Sequence, residues 1–115
     1  MEQTQRHCEV VIVGGGIAGA ALAFVLAGAG RSVSILERTV QYVDRVRGEG
    51  MQVWGVREAQ QLGVAGVLLG AGGRYAPEWK QYRAVRAEPA VVPMAKLIPG
   101  VDGTMAIRHP VACQA

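Results

Sequence analysis

The sequence predicts an α/β fold that begins with a parallel strand, helix and strand. Three observations support this prediction. Val10 to Val13 is a short apolar run typical of a buried strand, and three consecutive glycines follow it. From Ile17 to Ala29 every residue except two glycines is apolar, which predicts a helix, and Ser32 to Leu36 alternates as a second strand. At 115 residues, half of them apolar, the chain is long enough for one domain at most.

The uncharged run from Val10 to Gly30 has the length of a membrane-spanning helix. Glycines interrupt it at 14–16, and each glycine inside a helix costs about 1 kcal/mol relative to alanine. The preceding segment MEQTQRHCE has two acids against one arginine, whereas a signal peptide begins with a basic region. We therefore expect no membrane insertion and no secretion. Two distant cysteines, Cys8 and Cys113, fit a reducing, cytoplasmic setting.

The rest of the chain predicts short elements separated by glycine and proline. Residues 52–62 predict an amphipathic helix with Val53, Val56, Ala59 and, at its end, Leu62 on one face, and a smaller helix follows within residues 64–73. Met51 and Trp54 are expected in the core. Further predictions are an edge strand over 79–85, loops around the prolines at 89, 93 and 99, a strand over 104–108 and a helix from Pro110.

Charge and cysteine spacing exclude two classes of function. The basic residues are interleaved with acids and form no basic run, so we expect no nucleic-acid partner. His7, Cys8, His109 and Cys113 do not show the spacing of a metal site within one element, so we expect no metal.

The glycines fall in the pattern Gly14-x-Gly16-x-x-Gly19, between a predicted strand and a predicted helix. In this context the first glycine permits a tight turn, the second lets the backbone approach a pyrophosphate, and the third lets the helix pack closely on the strand. The free N–H groups at the helix start, near Ile17, favour phosphate. Glu37, at the end of the second strand, has the position of a carboxylate that binds ribose hydroxyls. The unit therefore predicts a dinucleotide site.

Three arginines follow the second strand, at positions 38, 45 and 47. Arginine suits phosphate because its planar guanidinium donates two parallel hydrogen bonds. We interpret Arg45 as a solvated surface charge. Arg47, which begins RGEGMQVWG, is the better candidate for a ligand contact.

These stretches carry a family resemblance. EVVIVGGGIAGAALAFVLAGAGRSVSILER, RGEGMQVWGVREAQQLGV and MAIRHPVAC resemble the N-terminal part of class A FAD-dependent monooxygenases, the group that includes p-hydroxybenzoate hydroxylase. The resemblance is strongest over 9–38, 47–63 and 104–113. The first stretch alone is shared with many FAD-binding and some NAD-binding proteins.

The resemblance implies a Rossmann-like FAD-binding fold. It implies FAD as cofactor, NADH or NADPH as transient reductant, and a small organic substrate that is hydroxylated or epoxidised with O2. The site residues that it implies, together with those that the glycine pattern indicates, are Gly14, Gly16, Ile17, Ala18, Gly19, Glu37, Arg38, Arg47 and Arg108. Since the chemistry belongs to the flavin, no catalytic residue is assigned.

We expect residues 1–115 to be the N-terminal part of an FAD-binding domain with an incomplete parallel sheet. The helix predicted from Pro110 has only about six residues, and the helix from Ile17 has no polar side chain on any face and so requires further cover. Such a piece is not expected to be active alone. An NAD-binding module of another oxidoreductase and a noncatalytic remnant stay open as alternatives, with a membrane anchor as the residual case.

Overall fold

The computed structural model describes residues 7–43, 49–108 and 111–112. The chain divides into two compact units, residues 1–42 and residues 43–115. Each unit has its own sheet structure, and the elements follow the chain in this order: β1 (Val10–Val13), α1 (Ile17–Gly28), β2 (Val33–Leu36), β3 (Glu49–Met51), α2 (Val53–Gln61), α3 (Ala65–Gly70), β4 (Arg74–Ala76), β5 (Trp79–Gln81), β6 (Ala90–Val92) and β7 (Thr104–Ile107).

The first unit is the predicted strand, helix and strand. β1 and β2 pair in parallel, with Val10 opposite Val33 and Val13 opposite Leu36. α1 ends as predicted at a glycine, because Gly30 adopts φ +78° and its N–H donates to Ala27 O at 2.9 Å. The unbroken apolar run is therefore a strand, a turn and a helix of 12 residues. No helix in the described part of the chain is long and apolar enough to cross a membrane.

Helix α1 carries apolar side chains all round, as the sequence indicates. None of its residues is buried, and Leu22, Phe24 and Val25 are exposed. Within the first unit, the helix contacts mainly β2 and, to a lesser extent, β1. The helix is therefore held by one side on its own two-stranded sheet.

The second unit is built from short antiparallel strands. One sheet has the order β3-β7-β4, with Met105 of β7 opposite both Met51 and Tyr75. A separate hairpin pairs β5 with β6. The predicted strand over 104–108 is confirmed for 104–107, and the strand predicted over 79–85 is shorter, at 79–81. The sequence did not predict β3, β4 and β6, because three residues carry too little periodicity.

The core of the second unit lies between α2 and the β3-β7-β4 sheet. Val53, Val56 and Ala59 are buried on one face of α2, as predicted, and pack in one cluster with Met105. Leu62, predicted on the same face, is 42% exposed, because α2 ends at Gln61 and Leu62 is its C-cap. Met51 packs against this cluster, also as predicted. The expectation for Trp54 is wrong: its side chain is 64% exposed, because position 54 faces away from the buried face of α2.

Glycines end both helices of this unit near the predicted positions. α2 ends before Gly63, which adopts φ +77°, and α3 lies inside the predicted range 64–73. A single 3-10 turn, Met94–Lys96, lies in the proline-rich stretch. Of the helix predicted from Pro110, only Val111 and Ala112 are described, and both are helical. Its start lies outside the described residues.

Candidate functional site

The glycine turn joins β1 to α1 and is fastened to the end of β2. Gly14 adopts φ +102°, a conformation that side chains disfavour, and its N–H donates to Leu36 O at 2.8 Å. A Cβ at Gly19 would lie 2.0 Å from Gly14 O. Only glycine at position 19 therefore lets the first turn of α1 pass this close to the turn.

The second glycine of the pattern borders open space. Gly16 is the N-cap of α1, no side chain caps the helix there, and a Cβ at Gly16 would meet no atom within 4 Å. The first bond inside the helix runs from Ala20 N to Gly16 O at 2.8 Å, so the N–H groups of Ile17 and Ala18 have no partner within the helix. Backbone donors at a helix start favour a negatively charged group in the space beside them.

Glu37 lies directly after β2, and backbone N–H groups hold its carboxylate from two sides. Gly15 N donates to Oε2 at 2.6 Å, and Thr39 N donates to Oε1 at 2.8 Å. These bonds hold the pKa of Glu37 below its ordinary value of 4.5, and the bond from Thr39 has the larger effect. The side chain is thus ionised at neutral pH and lies beside the glycine turn.

The carboxylate of Glu37 is accessible to further donors. An ionised carboxylate has about four acceptor positions, and the bonds from Gly15 and Thr39 use one on each oxygen. The side chain of Thr39 and the backbone N–H of Arg38 also hydrogen-bond to this carboxylate, but the residue is exposed, so donors of a ligand can reach it. This arrangement can accept hydrogen bonds from two neighbouring hydroxyl groups, as a ribose diol offers.

Sequence reasoning missed Tyr42, whose hydroxyl donates to Gly15 O at 3.3 Å. Tyr42 belongs to the same unit as the glycine turn and is half-buried. Its position five residues after Glu37 follows no local pattern, so the sequence offers no signal for this contact. The structure thus brings two side chains, Glu37 and Tyr42, to the backbone of Gly15.

The predicted arginines have different outcomes. Arg38 follows Glu37 and is exposed. Arg108 lies directly after β7 in the second unit, and its Cδ lies 4.0 Å from the place of a Cβ on Gly72. Arg47 lies outside the described residues. A contact of Arg38, Arg47 or Arg108 with a cofactor therefore stays a prediction.

Comparison with known proteins identifies the family. The FAD binding domain family matches residues 7–84 of the chain. The squalene epoxidase Erg1 of Aspergillus fumigatus is 43% identical over 65 residues, which is 56% of this chain and 14% of that protein. The squalene monooxygenase of Mus musculus is 45% identical over 62 residues, or 54% of this chain and 11% of that protein. The chain thus corresponds to a small part of these relatives.

Solved structures show the same fold. The p-nitrophenol 4-monooxygenase of Pseudomonas putida superposes with a TM-score of 0.72 at 21% identity, over 91% of this chain and 27% of that chain. An aklavinone-11 hydroxylase, solved with FAD and aklavinone, gives a TM-score of 0.65 at 19% identity, over 97% of this chain and 24% of that chain. The predicted Rossmann-like FAD-binding fold and the resemblance to FAD-dependent monooxygenases are confirmed, and the chain belongs to the FAD binding domain family.

Proposed function

We propose that the first unit binds the adenosine diphosphate half of FAD. The observation that supports this most is the Glu37 carboxylate, which is held ionised beside the glycine turn and is exposed, so that a ribose diol can reach it. The pyrophosphate would lie in the open space at Gly16, against the N–H groups of Ile17 and Ala18. The residues present thus fit the two polar parts of the ADP group.

Three arginines are proposed as further contacts. Arg38 follows the ribose-binding carboxylate directly, and we assign it and Arg47 to the phosphates on the strength of guanidinium chemistry. Arg108 is assigned to the cofactor through the family resemblance alone. None of these three assignments is needed for the ADP site itself, so each can fail separately.

We further propose that residues 1–115 are the N-terminal part of an FAD-binding domain of a flavin-dependent monooxygenase. Such an enzyme uses NADH or NADPH and O2 to hydroxylate or epoxidise a small organic substrate. Bound FAD supplies the redox and oxygen chemistry, and this chain's residues bind and orient the ADP end. The family match over residues 7–84 and the 43% identity to a squalene epoxidase over 65 residues support the proposal.

The test is FAD titration of the wild-type chain and of Gly16→Val, followed by flavin fluorescence. Gly16 has φ −70° and ψ −177°, which valine accepts, and its Cβ meets no protein atom, so the variant should fold. Its side chain would occupy the space assigned to the pyrophosphate. We expect FAD binding to fall at least about tenfold, on the order of the loss of one charge-assisted hydrogen bond.

Gly28→Val is the matched control. Gly28 is the last residue of the same helix, and a Cβ there also meets nothing within 4 Å. FAD binding by this variant should equal that of the wild type. Equal affinity of Gly16→Val and wild type for FAD would overturn the proposed site.

A second candidate is an NAD-binding module of another oxidoreductase. NAD also contains an adenosine ribose and a pyrophosphate, and Glu37 with the glycine turn offers the same contacts to both. Competition between NAD and FAD on the wild-type chain separates the two. The second candidate would be favoured if NAD displaced FAD and bound the chain with the higher affinity of the two. A circular dichroism spectrum without helix, with and without FAD, would instead indicate a noncatalytic remnant.

For the location of the chain we propose the cytoplasm. The support is the cysteine usage: Cys8 is a free thiol, and Cys113 lies far from it in sequence. Microscopy of a fluorescent fusion tests this, and a signal confined to a membrane or to the medium would contradict it.

A further inference from the structure

Gly15, the residue between the first two glycines of the pattern, is bonded on both sides of its backbone. Its N–H donates to Glu37 Oε2 at 2.6 Å, and its carbonyl oxygen accepts from the Tyr42 hydroxyl at 3.3 Å. Glycine has the largest conformational freedom of any residue, so these two bonds matter more here than they would elsewhere. They fix the orientation of the peptide groups before and after Gly15.

The peptide group after Gly15 joins it to Gly16. In this trans peptide the carbonyl of Gly15 and the N–H of Gly16 point in opposite directions. A hydroxyl that holds the carbonyl of Gly15 therefore directs the N–H of Gly16 away from Tyr42. A hydrogen bond to the carbonyl also polarises the peptide and makes its N–H a stronger donor.

We infer that Tyr42 is a positioning residue of the cofactor site: through the carbonyl of Gly15 it orients the N–H of Gly16 toward the pyrophosphate. The inference rests on the proposed ADP site, and it gives two side chains different roles in that site. Glu37 binds the ribose directly. Tyr42 touches no ligand and acts on the phosphate part of the site through the backbone.

A positioning role of Tyr42 affects some ligands and not others, whereas a general structural role would affect all ligands alike. Loss of the hydroxyl should weaken the binding of ligands that contain a pyrophosphate and leave the binding of adenosine unchanged. We expect Tyr42→Phe to bind FAD and ADP about three- to tenfold more weakly, the range that corresponds to one neutral hydrogen bond. Adenosine, which contacts Glu37 only, should bind Tyr42→Phe as it binds the wild type.

The binding experiment uses the full chain, with FAD followed by flavin fluorescence and with ADP and adenosine followed by NMR titration. Tyr82→Phe is the matched control, because Tyr82 is 77% exposed and makes the same change in chemistry elsewhere. All three ligands should bind this control as they bind the wild type. Equal weakening of adenosine, ADP and FAD in Tyr42→Phe, or no weakening at all, would overturn the positioning role.

A measurement on the ligand-free chain separates this inference from the proposed function. Removal of the hydroxyl should shift the carbonyl carbon resonance of Gly15 and the amide resonance of Gly16. If the Gly15 carbonyl does not respond, the hydrogen bond is absent and the inference fails even where FAD binds. If the carbonyl responds but the wild type binds neither FAD nor ADP, the proposed ADP site fails, and the role toward pyrophosphate fails with it.

A third measurement needs no variant and covers the case in which Tyr42→Phe does not fold. Titration of the wild-type chain with ADP should move the amide proton of Gly16 further than titration with adenosine does. Equal shifts of this proton with the two ligands would overturn the inference.

Discussion

Oε2 of Glu37 accepts a hydrogen bond of 2.6 Å from the backbone N–H of Gly15, a residue 22 positions earlier in the chain. The bond joins the end of β2 to the turn after β1, which lie side by side because the two strands are parallel. It places an ionised carboxylate next to the space at Gly16.

Glu37→Gln should weaken FAD binding by about tenfold or more, because glutamine carries no charge and offers one acceptor oxygen in place of two. Flavin fluorescence titration measures this. Glu78→Gln, a change at an exposed acid of the second unit, is the control and should bind FAD normally. Unchanged affinity of Glu37→Gln would contradict the ribose-binding role.

Glu37 should also make stability depend on pH. Its pKa in the folded chain lies below the ordinary value of 4.5, so its ionised form stabilises the fold above that pH. The contribution is lost as the pH falls from 4.5 through the folded pKa. We therefore expect the Tm difference between wild type and Glu37→Gln to be constant above pH 4.5 and to shrink below it. Thermal unfolding followed by circular dichroism checks this.

The stability of Glu37→Gln should still depend partly on acid pH, because a second carboxylate has a lowered pKa. The backbone N–H of Ser32 and the side chain of Arg31 also lower the pKa of Glu9, in that order of size. In the double variant Glu9→Gln/Glu37→Gln, Tm should consequently change less with pH on acidification than in either single variant. A Tm difference between wild type and Glu37→Gln that stays constant on acidification would show that Gly15 and Thr39 do not favour the charged form.

Gly19→Ala should destabilise the fold by about 1–3 kcal/mol, because its Cβ would lie 2.0 Å from Gly14 O and backbone must move to admit it. Gly28→Ala, in the same helix, should be neutral or stabilising by up to about 1 kcal/mol, because its Cβ meets nothing and alanine favours helix. Urea denaturation gives both free energies of unfolding. Equal stability of the two variants would mean that α1 does not pass this close to the turn.

Met105→Ala should lower the free energy of unfolding by about 2–5 kcal/mol, because Met105, on the central strand β7, is 0% exposed and packs in one cluster with the buried face of α2. Leu97→Ala is the control: this side chain is 51% exposed and should change stability by no more than about 0.5 kcal/mol. Denaturant unfolding with fluorescence detection measures both. A cost of Met105→Ala below that of Leu97→Ala would contradict the described core.

Arg31→Ala should cost less than about 1 kcal/mol. Arg31 and Glu9 form an ion pair of 3.1 Å, but the two side chains are 61% and 50% exposed, so solvent screens the attraction. The cost should fall further at high salt. Thermal unfolding at low and high salt measures it, and a loss above about 2 kcal/mol at either salt concentration would show that the pair acts as a buried one.

The sequence alone determined the first unit almost residue by residue. The signals for β1, the glycine turn, α1 and β2 each lie within a few neighbouring residues, such as four consecutive apolar residues or glycines at fixed spacing, and such signals are readable without a structure. The buried face of α2 was readable for the same reason, since Val53, Val56 and Ala59 follow the period of a helix.

Tertiary structure alone decided three features. The strands β3, β4 and β6 are three residues long, and only their partners in the sheet make them strands. Trp54 lies opposite the buried face of α2, and only the packing of the other elements decides whether a large apolar side chain there is covered; it is 64% exposed. The bonds from Gly15 to Glu37 and Tyr42 join positions 22 and 27 residues apart, so they exist only once β1 and β2 have paired.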